Sequence, residues 1–267
     1  MNVIALSSLD LGVAALLIMA LAGLSSRMRI GAGKPLLVSA ARSTVQLLLI
    51  GLVLKLLFEN ADPLWVALLA ALMLLVAGRE VMVRQKRRFL GAWGFGVGTL
   101  SMFVSSFAIT VVALLVVVSP DPWYAPQYAI PLLGMILGNT MNGISLGLDR
   151  LTQDAAQRRG VIESRLALGD DWRRAISDSR REAIRVGMIP IINAMSAAGI
   201  VSLPGMMTGQ ILAGTPPVEA VKYQILVMFL IAGGTGFGTI VAVSLAARRL
   251  FDERQRLRLD RLGGAKE

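Results

Sequence analysis

The sequence predicts an all-α, polytopic integral membrane protein with seven transmembrane helices, its amino terminus outside and its carboxy terminus in the cytoplasm. Three observations carry this. Of 267 residues, 55% are hydrophobic and 16% charged, against about 45–50% and about 25% in ordinary soluble domains. Seven stretches reach the roughly 20 mostly apolar residues needed to cross a bilayer core. Of the 27 Lys and Arg, 25 fall on alternate connections between those stretches.

The first stretch, Ser7–Ser26, has Asp10 near its start and its basic residues behind it. That charge order predicts an uncleaved anchor with its amino end outside, not a signal peptide. The others follow at Leu36–Phe58, Pro63–Val83, Val97–Val118, Tyr128–Leu148, Ile184–Leu212 and Val221–Ala247. They make one transmembrane domain, 1–248, which includes a polar connection at 149–185, followed by a cytoplasmic tail, 249–267. Arg27, Arg29, Lys34 and Arg42 flank the first connection, and Arg79, Arg84, Lys86, Arg87 and Arg88 the third. Nine Arg between 150 and 185 mark the fifth, and seven basic residues from Arg248 to Lys266 the end. Only Lys55 and Lys222 lie on the other side, and the positive-inside rule then sets the orientation.

Composition also excludes. With neither Cys nor His, the chain has no disulfides, no Cys or His nucleophile and no His-ligated metal. A net charge of +10 would suggest nucleic acid in a soluble chain. Here topology and anionic lipid headgroups account for it, and no basic platform interleaved with aromatics is present. The lipid bilayer is the expected partner, and nucleic acid is not.

The polar connection reads as helix, turn, helix. Ile162, Leu166, Leu168, Trp172, Ile176 and Ala183 recur at helical spacing with charged residues between them. Gly169 followed by Asp170 and Asp171 reads as the end of one helix and the cap of the next, and Arg174 and Asp178 are spaced for an i, i+4 pair. On pattern alone this is either a helix pair resting on lipid or a docking element for a soluble partner. Downstream, Pro204 removes a helical hydrogen bond and Gly205 permits a break, so the sixth stretch must kink or unwind in the membrane. Irregular backbone there must be buried in protein or line a cavity.

Glu163-Ser-Arg-Leu-Ala-Leu-Gly169 resembles the Glu-Ala-Ala…Gly coupling loop of ATP-binding-cassette (ABC) permeases, with Ser164 and Arg165 in place of the two alanines. Together with Ala41–Gln46, Asn139–Leu146 and Leu203-Pro-Gly-Met-Met-Thr-Gly-Gln210, it makes the chain resemble the FetB-type iron-export permeases of bacteria, which are related to plant membrane subunits linked to aluminium tolerance. The resemblance runs from about Pro35 to Ser244. It implies a non-enzymatic transporter subunit of the bacterial inner membrane, paired as a homodimer with an ABC ATPase subunit. It further implies iron, or another metal species, as cargo. ATP-Mg would sit on the partner and no cofactor on this chain; in keeping with this, no Gly-x-x-x-x-Gly-Lys-Ser/Thr element occurs. The ATPase-coupling residues would be Glu163, Leu166, Leu168, Gly169 and Trp172.

Intramembrane polar residues are the default substrate-path candidates: Arg42 and Gln46 in the second stretch, Asn139 and Asn142 in the fifth, and Asn193, Pro204, Gly205, Met206, Met207 and Gln210 around the break. For each, an interhelical hydrogen bond, or snorkelling in the case of Arg42, is the competing role. The metal ligands stay unknown: no Asp or Glu falls mid-span, and thioethers suit softer ions than iron. An ion-gradient carrier would instead need a titratable midplane group or inverted repeats. ABC export of a non-metal metabolite remains the other alternative. The small-residue run Gly233–Gly238, and Gly94/Gly98 and Gly134/Gly138, are expected to serve close helix packing.

Overall fold

The structure is a computed structural model that describes residues 7–59 and 62–264. Residues 1–6 of the expected amino-terminal segment, and Lys266 of the expected tail, lie outside the described residues. Among the described residues all regular structure is helical. Six helical runs are long and apolar enough to cross a membrane: α1 (Ser8–Arg27), α2 (Gly33–Glu59), α3 (Pro63–Arg84), a composite run Ala92–Val118, α6 (Pro126–Gln157) and α11 (Pro217–Arg249).

Two compact units emerge. One holds α1 and α2, together with Leu212–Thr215. Here Ser7 and Asp10 form a reciprocal cap on α1, satisfying two otherwise orphaned amides. The turn into α2 passes through Arg29 and Gly31 at positive φ and is closed by the Ala32 amide donating to Ser25 Oγ at 3.2 Å. Leu47, Leu48 and Leu52 face outward, as lipid-facing side chains do.

The second unit runs from Pro63 to Ile211 and again from Pro216, and its centre is three helices in contact: α6, α9 (Ser177–Ala197) and α11. Thr140 of α6 lies against Gly234 and Gly238 of α11, and Thr239 of α11 against Gly143 and Gly147 of α6. The numbering rises together, so α6 and α11 run parallel. α9 runs against both: Ala183 meets Gly147, and Gly187 meets Gly143 and Thr239. Missing side chains let the backbones approach until a Cβ on Gly187 would stand 2.6 Å from the Gly143 carbonyl oxygen. The small-residue expectation thus holds at Gly98, Gly134, Gly234 and Gly238, each with a side chain of another helix where its Cβ would be, whereas Gly94 is closest to the Phe89 carbonyl of the preceding connection. It fails at Gly138, which faces open space.

Two expected spans differ in form. The composite run starts at Ala92, not Val97, because Gly91 at φ +67 turns the chain into it. It consists of α4 (Ala92–Met102), a π-helical stretch Phe103–Phe107, α5 (Ala108–Val112) and a second π-helical stretch Ala113–Val118. The expected sixth span, Ile184–Leu212, is not one helix, so six of the seven expected spans are continuous helical runs among the described residues. α9 ends at Ala197, an irregular turn follows with Gly199 at φ +85, and α10 (Gly205–Leu212) resumes the helix. The break therefore opens at Ala198, ahead of Pro204, and Pro204-Gly205 starts the new helix, a position where proline's missing N–H is no loss.

α6 continues past Leu148 to Gln157, so the polar connection opens as helix. Then come α7 (Arg159–Ala167), a turn through Gly169, α8 (Trp172–Ala175) and α9. Ile162, Ile176 and Ala183 are buried, with Leu166 and Trp172 packed beside them. The expected Arg174–Asp178 pair is not made: Ile176 interrupts the helix between them, and Asp178 instead pairs with Arg165 at 2.9 Å and Arg181 at 3.1 Å. After Arg249 the chain folds back, burying Leu250, Phe251 and Leu262 in the same core.

Candidate functional site

The turn between α7 and α8 is built from local chemistry. Gly169 at φ +96 closes α7, in a conformation that costs a side-chain-bearing residue about 1 kcal/mol or more. Two residues on, the Asp171 carboxylate accepts the Arg174 amide at 2.8 Å and caps α8. Leu168 projects from the tip 87% exposed. Glu163 lies one turn back, exposed and held by Arg159 Nε at 2.8 Å. Of the five expected coupling residues, Glu163, Leu168 and Gly169 are thus at the surface. Leu166 and Trp172 instead anchor the turn from beneath, Trp172 against Phe251 with ring centroids 5.8 Å apart. The guanidinium groups of Arg248 and Arg173 lie 5.2 and 5.5 Å from the Trp172 ring centre.

The polar candidates fall in both units. Arg42 and Gln46 are exposed residues of α2, in the first unit. Asn139 Nδ2 donates to the Met135 carbonyl at 2.8 Å, and Asn142 Oδ1 accepts from Arg84 Nη1 at 2.6 Å. Both asparagines, like Asn193 on α9, are exposed in this chain. At the break, Met207 is buried, Pro204, Met206 and Gln210 are half-buried and Gly205 is exposed, and Gln210 Oε1 has no partner among the described residues. Asp149, expected at the inner end of the fifth span, accepts the Lys86 amide at 2.7 Å and a hydrogen bond from Gln153. It thereby joins α6 to the segment after α3.

Of the buried hydroxyls without partners, the sequence pointed only to Thr140, beside Asn139 and Asn142. Ser101 of α4, Ser106 of the first π-helical stretch, Thr140 of α6 and Thr235 and Thr239 of α11 are buried and find no hydrogen-bond partner among the described residues. Thr99, Thr110 and Thr152 in the same helical runs donate to the carbonyl four residues back. The signal in the sequence is only a scatter of Ser and Thr; Thr110 and Thr152 are as buried as the unpartnered hydroxyls, so what separates the two groups is whether the side chain turns back to its own helix's carbonyl.

Residues 8–251 match the family described as "Uncharacterised protein family (UPF0014)". The chain belongs to the UPF0014 family. It is 41% identical over 226 residues to a UPF0014 membrane protein of Synechocystis, spanning 83% of this chain and 85% of that protein. To the Escherichia coli protein named "Probable iron export permease protein FetB" it is 32% identical over 253 residues, 93% of each chain. To "Protein ALUMINUM SENSITIVE 3" of Arabidopsis thaliana it is 31% identical over 219 residues, 82% of this chain and 78% of that one. No solved structure matches. The resemblance drawn from Leu203–Gln210 and its companion motifs therefore names the right family. In this UPF0014 chain no group of three or more Asp, Glu, His or Cys that could hold a metal occurs among the described residues. Among the described residues the buried side-chain oxygens are hydroxyls, amides and the single carboxylate of Asp154, which Arg150 and Arg158 flank at 3.5 and 3.8 Å.

Proposed function

We propose that this UPF0014 chain is the transmembrane subunit of an ABC transporter that exports iron, or another metal species, from the cytoplasm. ATP would be hydrolysed on a separate ATPase chain. The single observation that carries this is the α7–α8 turn: an exposed leucine and glutamate on a capped hairpin, anchored on the helical core, in a chain that lacks a nucleotide-binding loop. The Arg-rich end that holds the turn faces the cytoplasm in this reading, by the positive-inside rule. Closure of the ATPase would press on the turn. Because α7 follows α6 directly and α8 leads straight into α9, the displacement reaches two of the three central helices.

Three further assignments belong to this reading. The broken segment from α9 through α10 makes the seventh crossing, with irregular backbone tolerated because it faces protein or a water-filled path. Two copies assemble, which would give the exposed Asn193, and the second polar atom of Asn139 and of Asn142, partners that lipid cannot offer. The cargo crosses hydrated or chelated, a reading supported by the lack of a carboxylate cluster among the described residues.

Co-expression with the candidate ATPase should yield a stable complex that is lost on Glu163→Ala combined with Gly169→Leu. Reconstituted together in liposomes, the two chains should move an iron species, in preference to other metals and small metabolites, only when ATP is on the ATPase side. Transport that persists without any ATPase overturns the proposal. So does a mutated turn that leaves assembly and ATPase stimulation intact.

A further inference from the structure

The segment after α11 forms a strap. Phe251 and Leu257 pair in a short antiparallel bridge, and the hairpin between them is closed by the Asp252 carboxylate, which accepts from the Arg256 amide at 2.9 Å and from Arg256 Nε at 2.8 Å. At its tip Gln255 sits at φ +60. From there its side chain reaches 83 residues back along the chain: Gln255 Oε1 accepts the Trp172 amide at 2.9 Å. Trp172 is the first residue of α8, so its N–H is one of the orphan donors of that helix. Asp171 satisfies another of them. The cap of the docking turn is therefore shared between a local carboxylate and an amide from the strap.

The strap continues to a third place. Arg261 Nη1 donates to the carbonyls of Arg249 and Phe251 at 2.7 and 3.1 Å, the Leu90 amide donates to the Arg261 carbonyl at 2.9 Å, and the Gly263 amide to the Arg88 carbonyl at 2.8 Å. Leu262 pairs with Phe89. One short segment thus ties the docking turn to the end of α11 and to the connection between α3 and α4. Glu163 and Gly169 also share a cleft of about 810 Å³ with Glu253 and Gln255, so a shifted strap would change the surface that the turn presents.

We propose that Gln255 is a positioning residue for the ATPase. It fixes the angle of the α7–α8 turn, and through the strap it passes the partner's push to the α3–α4 connection as well as to α6 and α9. The proposal rests on the docking reading above. Neither helix propensity nor core packing requires a glutamine in the left-handed region at this tip, where glycine or asparagine would fit with less strain. The bond to Trp172 gives it a role there.

The test compares Gln255→Leu, which keeps the size and loses the acceptor, with Gln255→Glu, which keeps a carboxyl oxygen facing the Trp172 amide. In the full chain without any partner, hydrogen exchange of the 169–174 amides should rise about ten-fold in Gln255→Leu and stay near wild type in Gln255→Glu. Reconstituted with the ATPase, Gln255→Leu should bind it normally but move several-fold less cargo per ATP hydrolysed, and Gln255→Glu should restore the ratio. Unchanged exchange in Gln255→Leu, a wild-type transport-to-hydrolysis ratio, or failure of Gln255→Glu to rescue each overturns the positioning role. A wild-type chain that neither binds nor stimulates the ATPase overturns the docking reading instead, and the exchange measurement then still reports on the Gln255–Trp172 contact.

Discussion

Gly187→Ala is the sharpest probe of the three-helix centre. An added Cβ would lie 2.6 Å from the Gly143 carbonyl oxygen and 2.6 Å from Thr239 Cγ2, about 0.8 Å short of the 3.4 Å at which ordinary contact begins. The oxygen is backbone, so no rotamer change relieves it, and α9 must move away from α6 and α11. Overpacking of this kind costs about 1–3 kcal/mol, from which the better helix propensity of Ala recovers about 0.5–1 kcal/mol. The net loss is on the order of 1–2 kcal/mol, or about 2–8 °C in Tm for a chain of this size. Gly138→Ala on α6 is the control: nothing lies within 4 Å of its Cβ position, so it should be neutral or stabilising by up to about 1 kcal/mol. Thermal unfolding of both variants in detergent micelles decides between them. Equal stability of Gly187→Ala and wild type, or equal damage from the two variants, would refute the packing argument.

The buried hydroxyls make a prediction of opposite sign within one helix. Thr140→Val removes a buried hydroxyl that has no partner and should leave Tm unchanged or raise it, whereas Thr152→Val breaks a 3.0 Å bond to the Leu148 carbonyl and should cost about 1 kcal/mol; the same unfolding assay reads both. The strap should loosen in acid. The Arg258 guanidinium holds the Asp260 carboxyl down at about 2, so its contribution is complete above the ordinary carboxylate range and disappears as pH falls through about 2. The Arg256 amide lowers Asp252 as well, so its contribution too is lost only below that range. Pepsin cleavage between Phe251 and Leu259 should therefore rise as pH drops from 4 to 2, and cleavage that does not change with pH would count against these pairs. Leu168→Asp should leave Tm within experimental error, because the side chain is exposed, while abolishing retention of the ATPase in pull-down; loss of stability would mean that the tip packs against the chain itself.

How far the sequence could be read depended on whether a feature was local. Gly169 and Asp171 marked the turn because a left-handed helix end and an N-cap each need a particular residue at one position, and both are found there. The Arg174–Asp178 pair failed because helical spacing presumes an unbroken helix, and burial of Ile176 interrupts it. Pro204 signalled a break but not its extent, since the unwinding begins at Ala198, six residues before the proline and just ahead of Gly199 at φ +85. Glu163, Leu168 and Gly169 were legible as a surface element. That Leu166 and Trp172 support it from below followed only from what packs against them. Gln255 left no signal at all, because its partner lies 83 residues away.

By itself the sequence determined the class, the family and the end of the molecule that carries the charge. Bilayer thickness, backbone satisfaction and charge asymmetry act on contiguous stretches, and contiguous stretches can be read one residue after another. Only the tertiary structure decided which small residues bring helices together, which hydroxyls are left without partners among the described residues, and that the carboxy-terminal segment holds the α7–α8 turn. Those properties belong to pairs of residues distant along the chain, and such pairs exist only once the helices have packed.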